Sequence, residues 1–251
     1  TNAGTAITTG DNNTAFGYLA SRVITTGSNN VSVGAGGNLG ANTTGANNTA
    51  LGYASLSANT TASNNVAVGL SALGANTTGT QNTALGTESL LANTTGGNNT
   101  GLGYFSLGSN TTGGDNVAVG YAALDANTTA SGNTAIGRSA LTANTTGANN
   151  TAVGINSLGT NTTGQSNVAM GYHAAVSATT ASNNVVIGFT AGHDLSTGSN
   201  NTFMGTEAGY ANTTGQRNAA FGKSALGATT TGQLNCGFGA FAGAGITTGA
   251  R

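Results

Sequence analysis

The sequence predicts an all-β fold, a β-solenoid or β-roll of about 14 coils with a 17-residue repeat. Three observations predict it. Asn recurs 14 times from Asn13 to Asn235, at a step of 17 residues except for 18 between Asn30 and Asn48. Gly follows four residues after every one of them, from Gly17 to Gly239. Nothing recurs at helical spacing, and the abundant Gly, Asn and Thr are poor helix formers. The unit reads Asn–Thr/Val–Ala–apolar–Gly–x–x–Ala/Ser–Leu–x–Ala–Asn–Thr–Thr–Gly–x–x, with its columns numbered 1 to 17 from that Asn.

Column 2 is Thr or Val in 12 of 14 units, and column 4 is large and apolar in all 14. Both favour strands, and alternation puts them on one strand face. That face is expected to meet a thin Val/Leu/Ile core, with column 3 opposite. Columns 8 and 9, mostly Ala or Ser then Leu, predict a second short strand after the column-5 glycine. Columns 12 to 15 read as a turn closed by Gly. The one-residue insertion between Gly34 and Leu39 is expected in a loop. Coils stacked about 4.8 Å apart would make a rod of roughly 65 Å. Stacking would line up Asn48, Asn65, Asn82, Asn99, Asn116 and Asn133 as an amide ladder, beside Gly52, Gly69, Gly86, Gly103, Gly120 and Gly137.

Of the 251 residues, 43 are Gly, none is Pro or Trp, and 11 are Lys, Arg, Asp or Glu, for a net charge of −1. Five scattered basic residues cannot neutralise a phosphate backbone, which excludes a nucleic-acid partner. No apolar run of about 20 residues predicts a membrane span. Collagen would need Pro. The charges fall in columns 6, 7, 10, 11, 16 and 17: Asp11, Arg22, Glu88, Asp115, Asp125, Arg138, Asp194, Glu207, Arg217, Lys223 and Arg251. These are the expected solvent columns. Column 3 is small except at Val186 and Phe203, and column 5 is always Gly. Either another backbone approaches that face, as in a homo-oligomer coiled about a common axis, or a narrow coil and a special backbone geometry require small residues.

Asn116–Val117–Ala118–Val119–Gly120 and Asn133–Thr134–Ala135–Ile136–Gly137, each followed within three residues by Ala or Ser, resemble the head repeat of YadA-like trimeric autotransporter adhesins. The longer run from Asn82–Thr83–Ala84–Leu85–Gly86 to Asn93–Thr94–Thr95–Gly96 resembles repeats of bacteriophage tail fibres. The resemblance covers essentially the whole chain. It implies a homotrimeric β-roll, a fibre or adhesin role, and an extracellular, cell-surface or virion location. The repeat of 17 is longer than the usual adhesin head unit.

Residues 1–251 read as a single repeat array with partial units at both ends; Thr1 falls in column 6 and Arg251 in column 17. Similar first and last segments fit either a piece of a longer chain or subunits stacked end to end. No catalytic, metal or cofactor constellation is found. His173 and His193 lie in solvent columns without a third convergent ligand, and Cys236 is expected to be a buried small hydrophobe. Tyr18, Tyr53, Tyr104, Tyr121 and Tyr172 share column 6 and are candidate surface contacts for a sugar or another surface, or cover for a thin core. Asn42, Asn59, Asn76, Asn93, Asn110, Asn127, Asn144, Asn161 and Asn212 each precede Thr–Thr. They are sequons that could accept glycans, or turn residues binding backbone. The expected function is a non-enzymatic structural fibre or filament segment with an attachment role toward a cell-surface glycan or receptor. The alternatives are a filament built by end-to-end stacking and glycosylated, and a glycan- or ice-binding solenoid.

Overall fold

A computed structural model describes residues 3–249, so Thr1 and the Arg251 charge lie outside the described residues. The chain forms two compact units, residues 3–129 and 130–249, each a β-solenoid, and the described residues contain no helix. The first unit holds β1 (Thr14–Phe16), β2 (Val31–Val33), β3 (Thr49–Leu51), β4 (Val66–Val68), β5 (Thr83–Leu85), β6 (Thr100–Leu102) and β7 (Val117–Val119). The second holds β8 (Thr134–Ile136), β9 (Thr151–Val153), β10 (Val168–Met170), β11 (Val185–Ile187), β12 (Thr202–Met204), β13 (Ala219–Phe221) and β14 (Cys236–Phe238). Within each unit, strands pair in parallel with their sequence neighbours, one coil per step, as in Thr83↔Thr100 and Val168↔Val185.

Columns 2 to 4 form the strand. Columns 8 to 11 form turns, so the expected second strand is absent among the described residues. The reason lies in the backbone. Glu88, in column 7, and Leu90, in column 9, both adopt positive φ, 58° and 53°. Each costs roughly 1 kcal/mol relative to the right-handed region. These reversals redirect the amides: Glu88 N–H donates to Leu70 O of the preceding coil, and Leu90 N–H to Ser106 O of the following one. Backbone groups are thus satisfied between coils without a second flat strand.

The strand also faces the other way from the expectation. Column 3 points inward: Ala50, Ala67, Ala84, Ala118, Ala135, Ala152 and Ala169 have no exposed surface. Columns 2 and 4 point outward, and Leu102 is 40% exposed. The core is therefore not Val/Leu/Ile from the strand. It is column-3 Ala, column-9 Leu (Leu56, Leu73, Leu90, Leu107) and the column-1 and column-12 Asn. The coil is too narrow for a large side chain at column 3 opposite Leu, so small residues there reflect a narrow coil and need no second chain.

Column 5 requires Gly for two reasons. Gly86 has φ +135°, and a Cβ there would stand 2.5 Å from Gly103 O of the next coil. Exceptions in column 3 are matched elsewhere in the core. Gly101 replaces Ala where the hydroxyls of Ser89 and Ser106 meet 2.9 Å apart. The insertion forms a loop at Gly36 and Gly37, both at positive φ, and the Tyr53 ring lies against Gly36. Asn38 turns inward there, donates to Val33 O and Ala50 O, and accepts from Ser55 Oγ.

Every described charge is at least partly exposed, as the six solvent columns require. No helix of the described residues is long and apolar enough to cross a membrane.

Candidate functional site

The buried polar columns build the scaffold that presents the surface. Each column-1 Asn ties three segments together. Asn82 Oδ1 accepts Asn99 N–H at 3.0 Å, and Asn82 Nδ2 donates to Gly96 O at 2.9 Å. The side chain thus links its strand to the following coil and to the turn of its own coil. Asn48, Asn65 and Asn99 act likewise in the first unit, where Asn116 donates its N–H and Nδ2 to Asn99 Oδ1, and Asn133 Oδ1 accepts Asn150 N–H in the second. The glycines of the predicted ladder, Gly52, Gly69, Gly86, Gly103, Gly120 and Gly137, all hold φ between +130° and +135°.

The nine candidate glycan acceptors form a second internal ladder within each unit. Asn42, Asn59, Asn76, Asn93, Asn110, Asn127, Asn144, Asn161 and Asn212 have no exposed surface. Asn59 Nδ2 donates to Asn42 Oδ1, Asn93 to Asn76, and Asn161 to Asn144, at 2.8–2.9 Å. A glycan on any of these nitrogens would have to displace the interior, so the folded chain excludes them as acceptors. The ladder is interrupted at Ala178 and Leu195, which leaves the Asn161 carbonyl oxygen buried without a partner.

Sequence reasoning missed a different set. Asn12, Asn47, Asn98, Asn149 and Asn200, in column 17, also begin Asn-x-Thr and are exposed turn residues at positive φ. A scan for every Asn-x-Thr, beyond those followed by two threonines, would have found them.

The five candidate tyrosines are exposed, but their geometry restricts what they can do. Tyr104 and Tyr121 stack at 5.5 Å and 17°, and Tyr172 stacks on Phe189 at 5.4 Å. The inner faces of these rings are occupied by each other, so the rows offer edges and hydroxyls to a flat surface. Tyr18 and Tyr53 stand more alone, both strongly exposed. Cys236 is corrected as well. It occupies outward column 2 and is exposed, with no partner thiol in the chain.

The outstanding surface feature is the outward strand face. In the first unit Phe16, Leu51, Leu85 and Leu102 are exposed on it, with Val31 and Val66 beside them. In the second unit Ile136, Met170, Met204 and Phe238 are exposed. Neither unit places a single charge in columns 2 or 4, although both columns meet water in the isolated chain. Scattered exposed apolar side chains need no explanation, whereas here an uncharged, apolar column 4 is repeated from coil to coil.

Among the described residues, no three His, Cys, Asp or Glu side chains converge on a point. His193 Nδ1 lies 2.7 Å from Asp194 Oδ1, and the His173 ring stacks on Tyr172 at 4.0 Å. Comparison with protein-family models, curated proteins and solved structures finds no match.

Proposed function

We propose that the chain is a non-enzymatic structural fibre segment, of the kind built by the trimeric adhesin heads and phage tail fibres that its repeat resembles. It works at a cell or virion surface as a homotrimer. One observation carries this reading: column 4 of the outward strand face is apolar in every coil, and neither column 2 nor column 4 carries a charge. Burying it against further copies would remove that surface from water at about 25 cal/mol per Å². A partner with the same coil spacing can match the strip along its length, and a second copy of this chain has that spacing by construction. The side chains that differ from coil to coil, in columns 6, 7, 10 and 11, stay outside the contact and remain free for attachment.

Sedimentation equilibrium tests the assembly. The expected species is three times the 24.0 kDa chain. Replacing Leu85 and Leu102 with Asp should release monomers that keep the wild-type circular dichroism. A 24.0 kDa monomer at every concentration for the unaltered chain would refute the proposal.

A further inference from the structure

The second unit interrupts its repeat with a cluster found nowhere else among the described residues. Both histidines lie there, with Tyr172, Phe189, Tyr210, Asp194 and Glu207. The rings form a continuous series. Phe189 stacks on Tyr172, Tyr172 on His173, His173 faces His193 at 6.4 Å, and His193 stacks on Tyr210 at 4.9 Å and 7°. The series stops at Tyr210. The next coil carries Gly227 in the same column, so no ring succeeds it.

An open-sided pocket of about 400 Å³ begins there, lined by Tyr210, Glu207, Ser224, Gly227, Ala228 and Ala244. Its apolar wall is small and backbone-like. Its polar wall is a pair: Ser224 Oγ donates to Glu207 Oε2 at 3.0 Å. Glu207 is half-buried, and its other carboxylate oxygen has no protein donor among the described contacts.

We infer that this pocket binds one pyranose ring of a neutral saccharide. Such a ring has an apolar C–H face and a rim of hydroxyls. The C–H face would take the place of the missing aromatic on Tyr210. The hydroxyls would donate to the Glu207 carboxylate, a charge-assisted contact, and exchange hydrogen bonds with Ser224. The volume admits one sugar ring, and the open side lets a longer saccharide continue into solvent. A planar heterocycle would satisfy Tyr210 but leave the Glu207–Ser224 wall with little to bind. The pocket lies in columns 7, 10 and 11, outside the strand face, so the inference does not depend on trimer formation.

The test is saturation-transfer NMR on the full chain, followed by titration. The probes are the methyl pyranosides of glucose, galactose, mannose and N-acetylglucosamine, with indole as the aromatic comparator. At least one pyranoside should receive saturation at its ring protons. Tyr210→Ala should weaken its binding about tenfold, whereas Tyr210→Phe should bind nearly as well as wild type. Glu207→Gln should weaken binding, and Tyr18→Ala, in the other unit, should not. All variants should keep the wild-type circular dichroism, because these side chains are surface groups. The inference is overturned if no pyranoside binds, if binding survives Tyr210→Ala unchanged, or if indole alone binds.

Discussion

The Phe203 ring lies directly over Gly209, where a Cβ would stand 2.6 Å from the ring atoms. Phe203 occupies column 3, where most coils have Ala, and Gly209 occupies column 9, where most have Leu. Large and small have changed places within one coil, and the interior stays filled. Gly192 makes the same exchange with Val186 and also lies against Phe203. This pair predicts strong coupling. Phe203→Ala should cost about 3–5 kcal/mol through the cavity it leaves. Gly209→Leu should cost at least about 1–3 kcal/mol through overpacking. The double variant restores the common Ala–Leu coil, so its loss should fall well short of the sum. Thermal or urea unfolding of the four chains gives the cycle; additive losses would show that the two residues do not share one space.

The inverted strand predicts a contrast between two leucines five residues apart. Leu107, in column 9, is fully buried, whereas Leu102 points outward. Leu107→Ala should destabilise the chain by about 2–5 kcal/mol. Leu102→Asp should leave the unfolding midpoint of the monomer nearly unchanged and reduce its association. The strand-facing core expected from sequence required Leu102→Asp to destabilise the fold. Unfolding measured at concentrations where the chain is monomeric separates the two.

Two asparagines in equivalent positions should respond unequally. Asn93 donates to Asn76 Oδ1 and Gly96 O and accepts from Asn110, so Asn93→Leu leaves buried groups unpaired and should cost about 1–3 kcal/mol or more. Asn212 has Leu195 in its column in the preceding coil and Thr229 in the following one, so no neighbouring asparagine pairs with it. Asn212→Leu should cost clearly less than Asn93→Leu. A loss for Asn212→Leu as large as that for Asn93→Leu would contradict the broken ladder.

Burial sorts the sequons. When the chain is secreted from a eukaryotic cell, glycans should appear at Asn12, Asn47, Asn98, Asn149 or Asn200, which are exposed. The nine internal positions, such as Asn93, should be empty in folded material. Peptide mapping after enzymatic glycan release reads each site separately. Glycans on folded chains at Asn93 or Asn110 would be incompatible with the inner ladder.

The sequence by itself determined the period, the strand position, the glycine columns, the amide ladder and the columns where charge is allowed. Each of these follows from a residue type recurring at a fixed step, because stacked coils repeat the same environment. Thus Asn82 and Gly86 could be assigned as scaffold, and Glu88 and Arg138 as surface, without coordinates. Sequence could not decide which strand face turns inward. Alternation states that columns 2 and 4 share a side and column 3 takes the other, but parity carries no direction. Hydrophobicity pointed the wrong way, because the larger residues are outside. The decision belongs to the cross-section of the coil. Column-9 Leu and column-12 Asn already fill most of a narrow interior, and only a small residue fits opposite them. Tertiary structure also separated Asn93 from Asn98: both begin Asn-x-Thr, but the turn buries one side chain in the ladder and exposes the other to water.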